Sequence, residues 1–245
     1  MTAGPSRVLP TLARMEIIEV LPRLHMVRLA FGQAYVWQDP GSVTLVDTGV
    51  AGSGADLAEA IRSLGRSVEE VEHVVLTHFH EDHAGGASEV NTWPNARVHA
   101  HEADAPIITG AVPGPPAVIT ENWERRLFEQ ITPGVPDAPP ARVDVVLEGG
   151  EVLPFGGGAL VLHLPGHTDG SVAIHLPEHD VLFTGDTISN VGQVALGVFN
   201  LDKARAIESF KAMAALNART VLFGHGEPLL VPPGGKGLDS SVVAG

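Results

Sequence analysis

The sequence contains no cysteine. A disulfide framework, a thiolate nucleophile and a cysteine-bound metal are therefore excluded. Aromatic side chains make up 5% of the chain, with a single tyrosine, Tyr35. No apolar run approaches the roughly 18 residues that a membrane-spanning helix needs, so no membrane partner is expected. The N-terminal stretch MTAGPSRVLPTLARME lacks the long apolar region of a signal peptide. It reads as a loose leader, and a cytoplasmic location is the expectation. Cationic residues are also scarce, 15 Lys and Arg against 29 Asp and Glu, for a net charge of −14. Phosphate backbones are held by basic surfaces, so a nucleic-acid partner is disfavoured and a small-molecule substrate is expected.

The remaining composition is that of a globular chain, 44% apolar with a mean hydropathy of +0.16. Its 245 residues suffice for a full core. We read residues 1–245 as a single domain with a proline-rich insertion or lid over 104–144 and a tail over 231–245.

One stretch organises the rest: Thr77-His78-Phe79-His80-Glu81-Asp82-His83-Ala84-Gly85-Gly86. It follows Val71-Glu72-His73-Val74-Val75-Leu76, an apolar, β-branched run that predicts a buried strand. On extended backbone residues two apart point the same way, so His78 and His80 can offer two imidazoles to one ion. Asp82 and His83 follow on the turn and point elsewhere, which makes room for a second ion. A mixed histidine and carboxylate set suits zinc or iron better than magnesium or calcium.

Upstream, short strands are expected over 17–20, 24–29, 34–37 and 42–46, the last pair joined by the turn Asp39-Pro40-Gly41. The strand ends at Asp47-Thr48-Gly49, where Asp47 reads either as a plain turn residue or as an acceptor that orients a metal-binding histidine. Residues 55–64 predict an amphipathic helix with Leu57, Ala60, Ile61 and Leu64 on one face. A short strand over 97–100 precedes the proline-rich stretch, whose one helix candidate, 120–130, carries Trp123, Leu127 and Phe128 as an apolar wall. Downstream, strands are expected over 143–147, 159–164, 171–176, 180–184 and 220–223, and a helix over 202–216.

Three further groups stand at strand ends beside glycine: Gly166-His167-Thr168, Gly185-Asp186-Thr187 and Gly224-His225-Gly226. With the loop they give seven ligand candidates, His78, His80, Asp82, His83, His167, Asp186 and His225. That is the number two metals about 3.5–4 Å apart need if a carboxylate bridges them. The remaining histidines, His25, His73, His99, His101, His163, His175 and His179, lack this context and are read as structural or exposed.

The H-x-H-x-D-H loop, then G-H-T, G-D-T and G-H-G, in that order, resembles the metallo-β-lactamase superfamily over about Arg23 to Pro228. The resemblance implies an α/β fold, a four-layer αβ/βα sandwich of two mixed sheets with outer helices and metals at one edge. It implies that His78, His80 and His167 hold one metal, that Asp82, His83 and His225 hold a second, and that Asp186 bridges them. Asp47 matches the supporting first motif. The absent cysteine separates the chain from the thiol-ligand β-lactamases, and His80 separates it from diiron flavoproteins, which carry Glu there. The chain looks most like the glyoxalase II and lactonase branch. It differs from hydroxyacylglutathione hydrolases in lacking their C-terminal helical region, and from acyl-homoserine lactonases in having Ser189 where they have Tyr.

The implied function is a metal-dependent hydrolase with two divalent ions, zinc first, iron or manganese as alternatives. A hydroxide held by both ions would cleave an ester, lactone or thioester of a small, largely apolar substrate. Asp82 would relay the proton to the leaving group. The alternatives are a mononuclear-iron oxidoreductase of the persulfide dioxygenase type and a catalytically inactive metal-binding module.

Overall fold

The computed structural model describes residues 15–243; the leader read over residues 1–14 and the last two residues of the tail lie outside them. Tight turns build the first half of one sheet. Strands β1 (Glu16–Leu21), β2 (Leu24–Arg28), β3 (Gln33–Asp39) and β4 (Ser42–Val46) form an antiparallel meander. Pro40-Gly41 closes the last turn, with Gly41 at φ +85°, where a side chain would be strained. Beyond β4 the sheet turns parallel, through β5 (Val71–Val75), β6 (Arg97–His101) and β7 (Val145–Leu147). Parallel neighbours need a crossover, and helix α1 (Gly54–Ser63) provides the first.

The second sheet comprises β8 (Val152–Leu153), β9 (Ala159–His163), β10 (Val172–Leu176) and β11 (Val181–Phe183). After an isolated hairpin, β12 (Ile188–Asn190) and β13 (Val194–Leu196), it adds β14 (Thr220–Leu222) and β15 (Leu229–Leu230). Its order is β15-β14-β11-β10-β9-β8, antiparallel except for the β11–β14 pair. Both sheets are therefore mixed, as the resemblance implies.

The sheets face each other across an apolar core. Leu24, Met26, Trp37 and Val75 come from the first sheet, Val161, Ile174, Phe183 and Leu222 from the second. Leu57, Ala60 and Ile61 of α1 cover the outer face of the first sheet over Val36, Leu45, Val74 and Val98. The second sheet is covered by α6 (Lys203–Ala215), after the short α2 (Glu81–Ala84), α3 (Ala87–Val90) and α4 (Ala105–Ile108) and the longer α5 (Asn122–Ile131). Asp202 caps α6 by accepting from the Arg205 N–H at 3.0 Å, and Phe210 and Met213 pack on Ala173, Leu182 and Val221. The result is helix, sheet, sheet, helix. Among the described residues no helix is long and apolar enough to cross a membrane.

Several short elements are not apparent in the sequence. The two-residue strands β8 and β15 have no period of their own and exist by pairing with β9 and β14. In the stretch read as a tail, Leu238 and Val243 are buried with α6. The 104–144 segment is anchored at its ends, where the Ala141 N–H donates to the Ile108 carbonyl at 2.9 Å. Val112, Val118 and Trp123 between them are exposed.

Two histidines read as structural form a pair on neighbouring strands: His73 Nδ1 lies 3.1 Å from His99 Nε2. His99 is buried. Burial, helped by His73 and Arg97 and opposed by Asp144, pushes its pKa down to about 4. The unfolded chain takes up that proton near 6.5, so between the two values it binds more protons than the fold does. Stability from His99 is full above about pH 6.5 and is lost as the pH falls toward 4. Urea unfolding of metal-free protein at about pH 7 and about pH 4.5 should show a loss that is smaller in His99→Gln by about 2–3 kcal/mol. Parallel losses in the two proteins would remove His99 from the acid response.

Candidate metal centre

The site grows from the end of β5. Asp47, just past β4, adopts a left-handed backbone at φ +63°, a conformation Asp tolerates better than most residues. Its buried carboxylate accepts the Thr77 N–H at Oδ1, 2.7 Å, and the Thr77 hydroxyl at Oδ2, 2.8 Å. His83 Nδ1, from α2, also lies 2.8 Å from Oδ2. One side chain thus fixes both ends of the loop that carries His78, His80, Asp82 and His83. Asp47 is thus an acceptor that orients the His83 ring rather than a plain turn residue.

The remaining candidates arrive from the second sheet. His167 follows β9, Asp186 lies in the turn Gly185–Thr187 after β11, and His225 follows β14. Backbone pairing sets the spacing: the Gly224 N–H donates to the Gly185 carbonyl at 3.1 Å. A Cβ on Gly224 would overlap the Asp186 carboxylate, so only glycine lets these two strand ends close up.

All seven side chains meet. Ligand-capable atoms of His78, His80 and His167 lie within 4.8 Å of one another, as do those of Asp82, His83 and His225. A third set, His78, His83 and Asp186, meets the same limit. Asp186 stands between the trios, with Oδ1 3.2 Å from His83 Nε2 and Oδ2 3.1 Å from His225 Nε2 and 4.0 Å from His167 Nε2. The other seven histidines join none of these sets among the described residues. His101, for example, stacks on His163 at 3.8 Å instead.

The electrostatics differ between the two trios. Burial holds His78 well below the usual imidazole range, His80 at about 4 and His167 at about 3. All three are neutral at pH 7, the form that ligates metals. His83 and His225 are the opposite case. Burial alone would lower both, but the carboxylates override it: Asp186, Asp82 and Asp47 hold His83 well above its ordinary value, and Asp186 and Asp82 raise His225 to about 10. Reciprocally, against burial, His83 and His225 draw Asp82 down to about 2 and Asp186 well below the carboxylate range.

These residues fit divalent cations. The buried His78 Nε2, His83 Nε2 and Asp186 Oδ1 have no hydrogen-bond partner, although His83 and Asp186 approach closely. Atoms aimed at a common point without bonding one another are what an ion would satisfy. On the far side of each ring the bonds are made: His78 Nδ1 lies 3.0 Å from the Thr77 hydroxyl, and His83 Nδ1 meets Asp47.

Sequence reasoning missed two supports. Asp104, 1% exposed, accepts the Phe79 N–H at 3.0 Å, the Thr168 hydroxyl at 2.8 Å and the Gly170 N–H at 2.9 Å. It ties the residue between His78 and His80 to the residues after His167. Burial, against those bonds, raises its pKa to about 6. An acid just past a strand is the same signal that singled out Asp47, but here it fell at the edge of the proline-rich stretch. The second support is Gln33, which donates to the carbonyls of Phe223 and Gly226 at 2.9 Å each. Tyr35 donates to the Phe223 carbonyl at 2.6 Å, so the chain's one tyrosine braces the His225 loop from β3. Of the residues read as an apolar wall, Trp123 is half exposed, while Phe128 meets Phe199 edge to face at 5.4 Å.

Comparison with known proteins agrees with this arrangement. The profile described as "Metallo-beta-lactamase superfamily" matches residues 27–225. The chain is 27% identical over 232 residues to "Probable metallo-hydrolase YflN" of Bacillus subtilis (strain 168), covering 86% of each chain. It is 29% identical over 187 residues to "Hydroxyacylglutathione hydrolase" of Fuscovulum blasticum, covering 76% of this chain and 58% of that protein. Among solved structures, a metallo-beta-lactamase family protein from Thermus thermophilus superposes with a TM-score of 0.61 at 26% identity. That match covers 88% of this chain and 73% of the other. Fold, ligand-capable clusters and profile agree, and the chain belongs to the metallo-beta-lactamase superfamily.

Proposed function

We propose that the protein is a metal-dependent hydrolase that cleaves an ester, lactone or thioester bond in a small, largely apolar substrate. The observation that carries this reading is the pair of adjoining trios with Asp186 between them. His78, His80 and His167 would hold one divalent ion, Asp82, His83 and His225 another, and Asp186 would serve both. Zinc suits this donor set best. When bound, the ions supply a water acidified toward neutral pH and a Lewis acid for the carbonyl oxygen.

The chain's own groups do the rest. Asp82 is ionised and its side chain is 21% exposed, against 12% for Asp186. It is the carboxylate a substrate reaches, so it accepts a proton from the attacking water and delivers it to the leaving group. Asp47 and Asp104 hold the ligand loop from opposite sides, Asp47 at Thr77 and His83 and Asp104 at Phe79. The similarity to a hydroxyacylglutathione hydrolase supports thioesters as one substrate class. A mononuclear-iron dioxygenase needs only two histidines and one aspartate, fewer than the seven candidates gathered here. The second trio, Asp82, His83 and His225, favours the dinuclear hydrolase.

Metal analysis of the purified protein should give close to two divalent ions per chain, with turnover of esters, lactones or thioesters independent of oxygen. A single iron with oxygen-dependent turnover would overturn the hydrolase reading. Asp82→Asn should fold normally and lower kcat by roughly 100-fold or more, because both proton transfer and ion binding suffer. Full activity in that variant would remove Asp82 from the chemistry.

Asp104→Asn tests the brace. An amide sets an N–H donor against donors that now meet an oxygen, so the loop beside His80 and His167 loses a fixed contact. Chelator competition should show one ion weakened by about 10–100-fold, the size expected for lost ligand support. The second ion should hold. Unchanged affinity at both positions would make Asp104 a fold residue only.

A further inference from the structure

Three partly exposed phenylalanines from distant parts of the chain, Phe31, Phe128 and Phe199, are tied to segments at the metal edge. Phe31 precedes Gly32, where a Cβ would stand 3.3 Å from His225 Cε1 and 3.7 Å from Asp82 Oδ2. Phe31 therefore lies beside the second trio. Phe199 belongs to a loop pinned at both ends to the rest of the centre. A Cβ on Gly197 would collide with the Asp186 carbonyl, and the Leu201 N–H donates to the His167 carbonyl at 3.1 Å. Phe199 thus lies beside Asp186 and His167. The α5 segment approaches both: the Phe128 ring meets Phe199 edge to face, with centroids 5.4 Å apart at 85°. Six residues on, a Cβ built on Gly134 would stand 3.1 Å from the Phe31 ring.

Phe199 is also held in a left-handed backbone, φ +58°. A bulky side chain adopts this only where its surroundings over-determine it, and such residues cluster at functional sites. The surroundings here are explicit. The Gly197 N–H donates to the Thr187 carbonyl at 3.0 Å, and the Asn200 side chain donates to the Gly197 carbonyl at 2.6 Å. Among the described residues the other non-glycine positions with positive φ are Asp47, Asp180 and Asn217, types that tolerate the conformation. A phenylalanine has no such excuse, so the ring's placement is what the strain secures.

We propose that Phe31, Phe128 and Phe199 form the binding wall for the apolar group, alkyl or aryl, attached to the substrate's scissile carbonyl. The inference rests on the hydrolase reading for the position of that carbonyl, between the two trios. The wall flanks both trios, so a carbonyl placed between them extends its substituent along the rings. Partly exposed rings lose water-contacting apolar area when such a group lies on them, and the edge-to-face pair offers a ring face to an aryl group.

Binding of the straight-chain carboxylates from acetate to octanoate, and of phenylacetate, to metal-loaded protein tests this by calorimetry without any turnover. In the native protein each added methylene should tighten binding by about two- to fourfold, the scale of a buried methylene. Phe128→Ala and Phe199→Gly should flatten that dependence, and Phe199→Leu should keep most of it. Phe199→Gly also relieves the backbone strain, so its melting temperature should hold while the chain-length dependence is lost, which separates lost contact from lost fold. A flat series in the native protein, or an unchanged slope in both ring deletions, overturns the wall. A steep series in a protein that hydrolyses no ester, lactone or thioester overturns the hydrolase reading and leaves the wall standing. Hydrolysis with a flat series does the reverse.

Discussion

Buried negative charge at one edge of the sandwich is the constraint on which the rest of the structure depends. Asp47, Asp82 and Asp186 all bear on His83, and Asp82 and Asp186 both bear on His225. Carboxylates out of water are costly unless paired. In the protein alone the pairing falls to His83 and His225, which those carboxylates drive toward their charged forms. That arrangement is internally consistent but leaves His83 Nε2 and Asp186 Oδ1 close without a proper hydrogen bond. The fold therefore concentrates acceptors where side-chain protons satisfy them only in part. Divalent cations would supply the missing charge at the positions those atoms leave unsatisfied.

The scaffold's contribution is rigidity. Sheet one brings the ligand loop, and sheet two brings three separate strand ends. Contacts that cross between the sheets hold these pieces in register. Gln33 and Tyr35, on β3, grip the carbonyls around His225. Asp104, after β6, grips the turn after His167. The segments that carry His167 and His225 are thus held by backbone pairing on their own sheet and by a buried side chain from the other. Ligands placed on fixed elements and oriented from behind keep their geometry, as a metal site demands.

The sequence discloses those parts of the site whose meaning is local. His78 and His80 are legible because alternation on extended backbone is a property of three residues. His167, Asp186 and His225 are legible because each follows an apolar strand and stands beside glycine. Asp104 carries a local signal, an acid just past a strand, but its partners and those of Gln33 are not legible in this way. The roles of both residues consist of bonds to residues 25 to 193 positions away, and nothing near them in the chain records that partner. The same holds for the short elements. Strands β8 and β15 have two residues each and no period to detect, and the β12–β13 hairpin is barely longer. The helix over 120–130 is legible in the sequence, but the contacts its residues make are not. Trp123 turns to solvent, while Phe128 finds its partner in Phe199, far along the chain.

Strain marks the two places where the edge is most tightly specified. Asp47 and Phe199 both hold left-handed backbone, one behind the ligand loop and one in front of it. At Asp47 the conformation turns the carboxylate back onto Thr77 and His83, and three hydrogen bonds offset its cost. At Phe199 no side-chain bond does so; the loop is held by Thr187, Asn200 and His167 around it. A rigid front wall of this kind is itself a selective element. A ring whose backbone is fixed in this way favours substrates whose apolar group fits beside it.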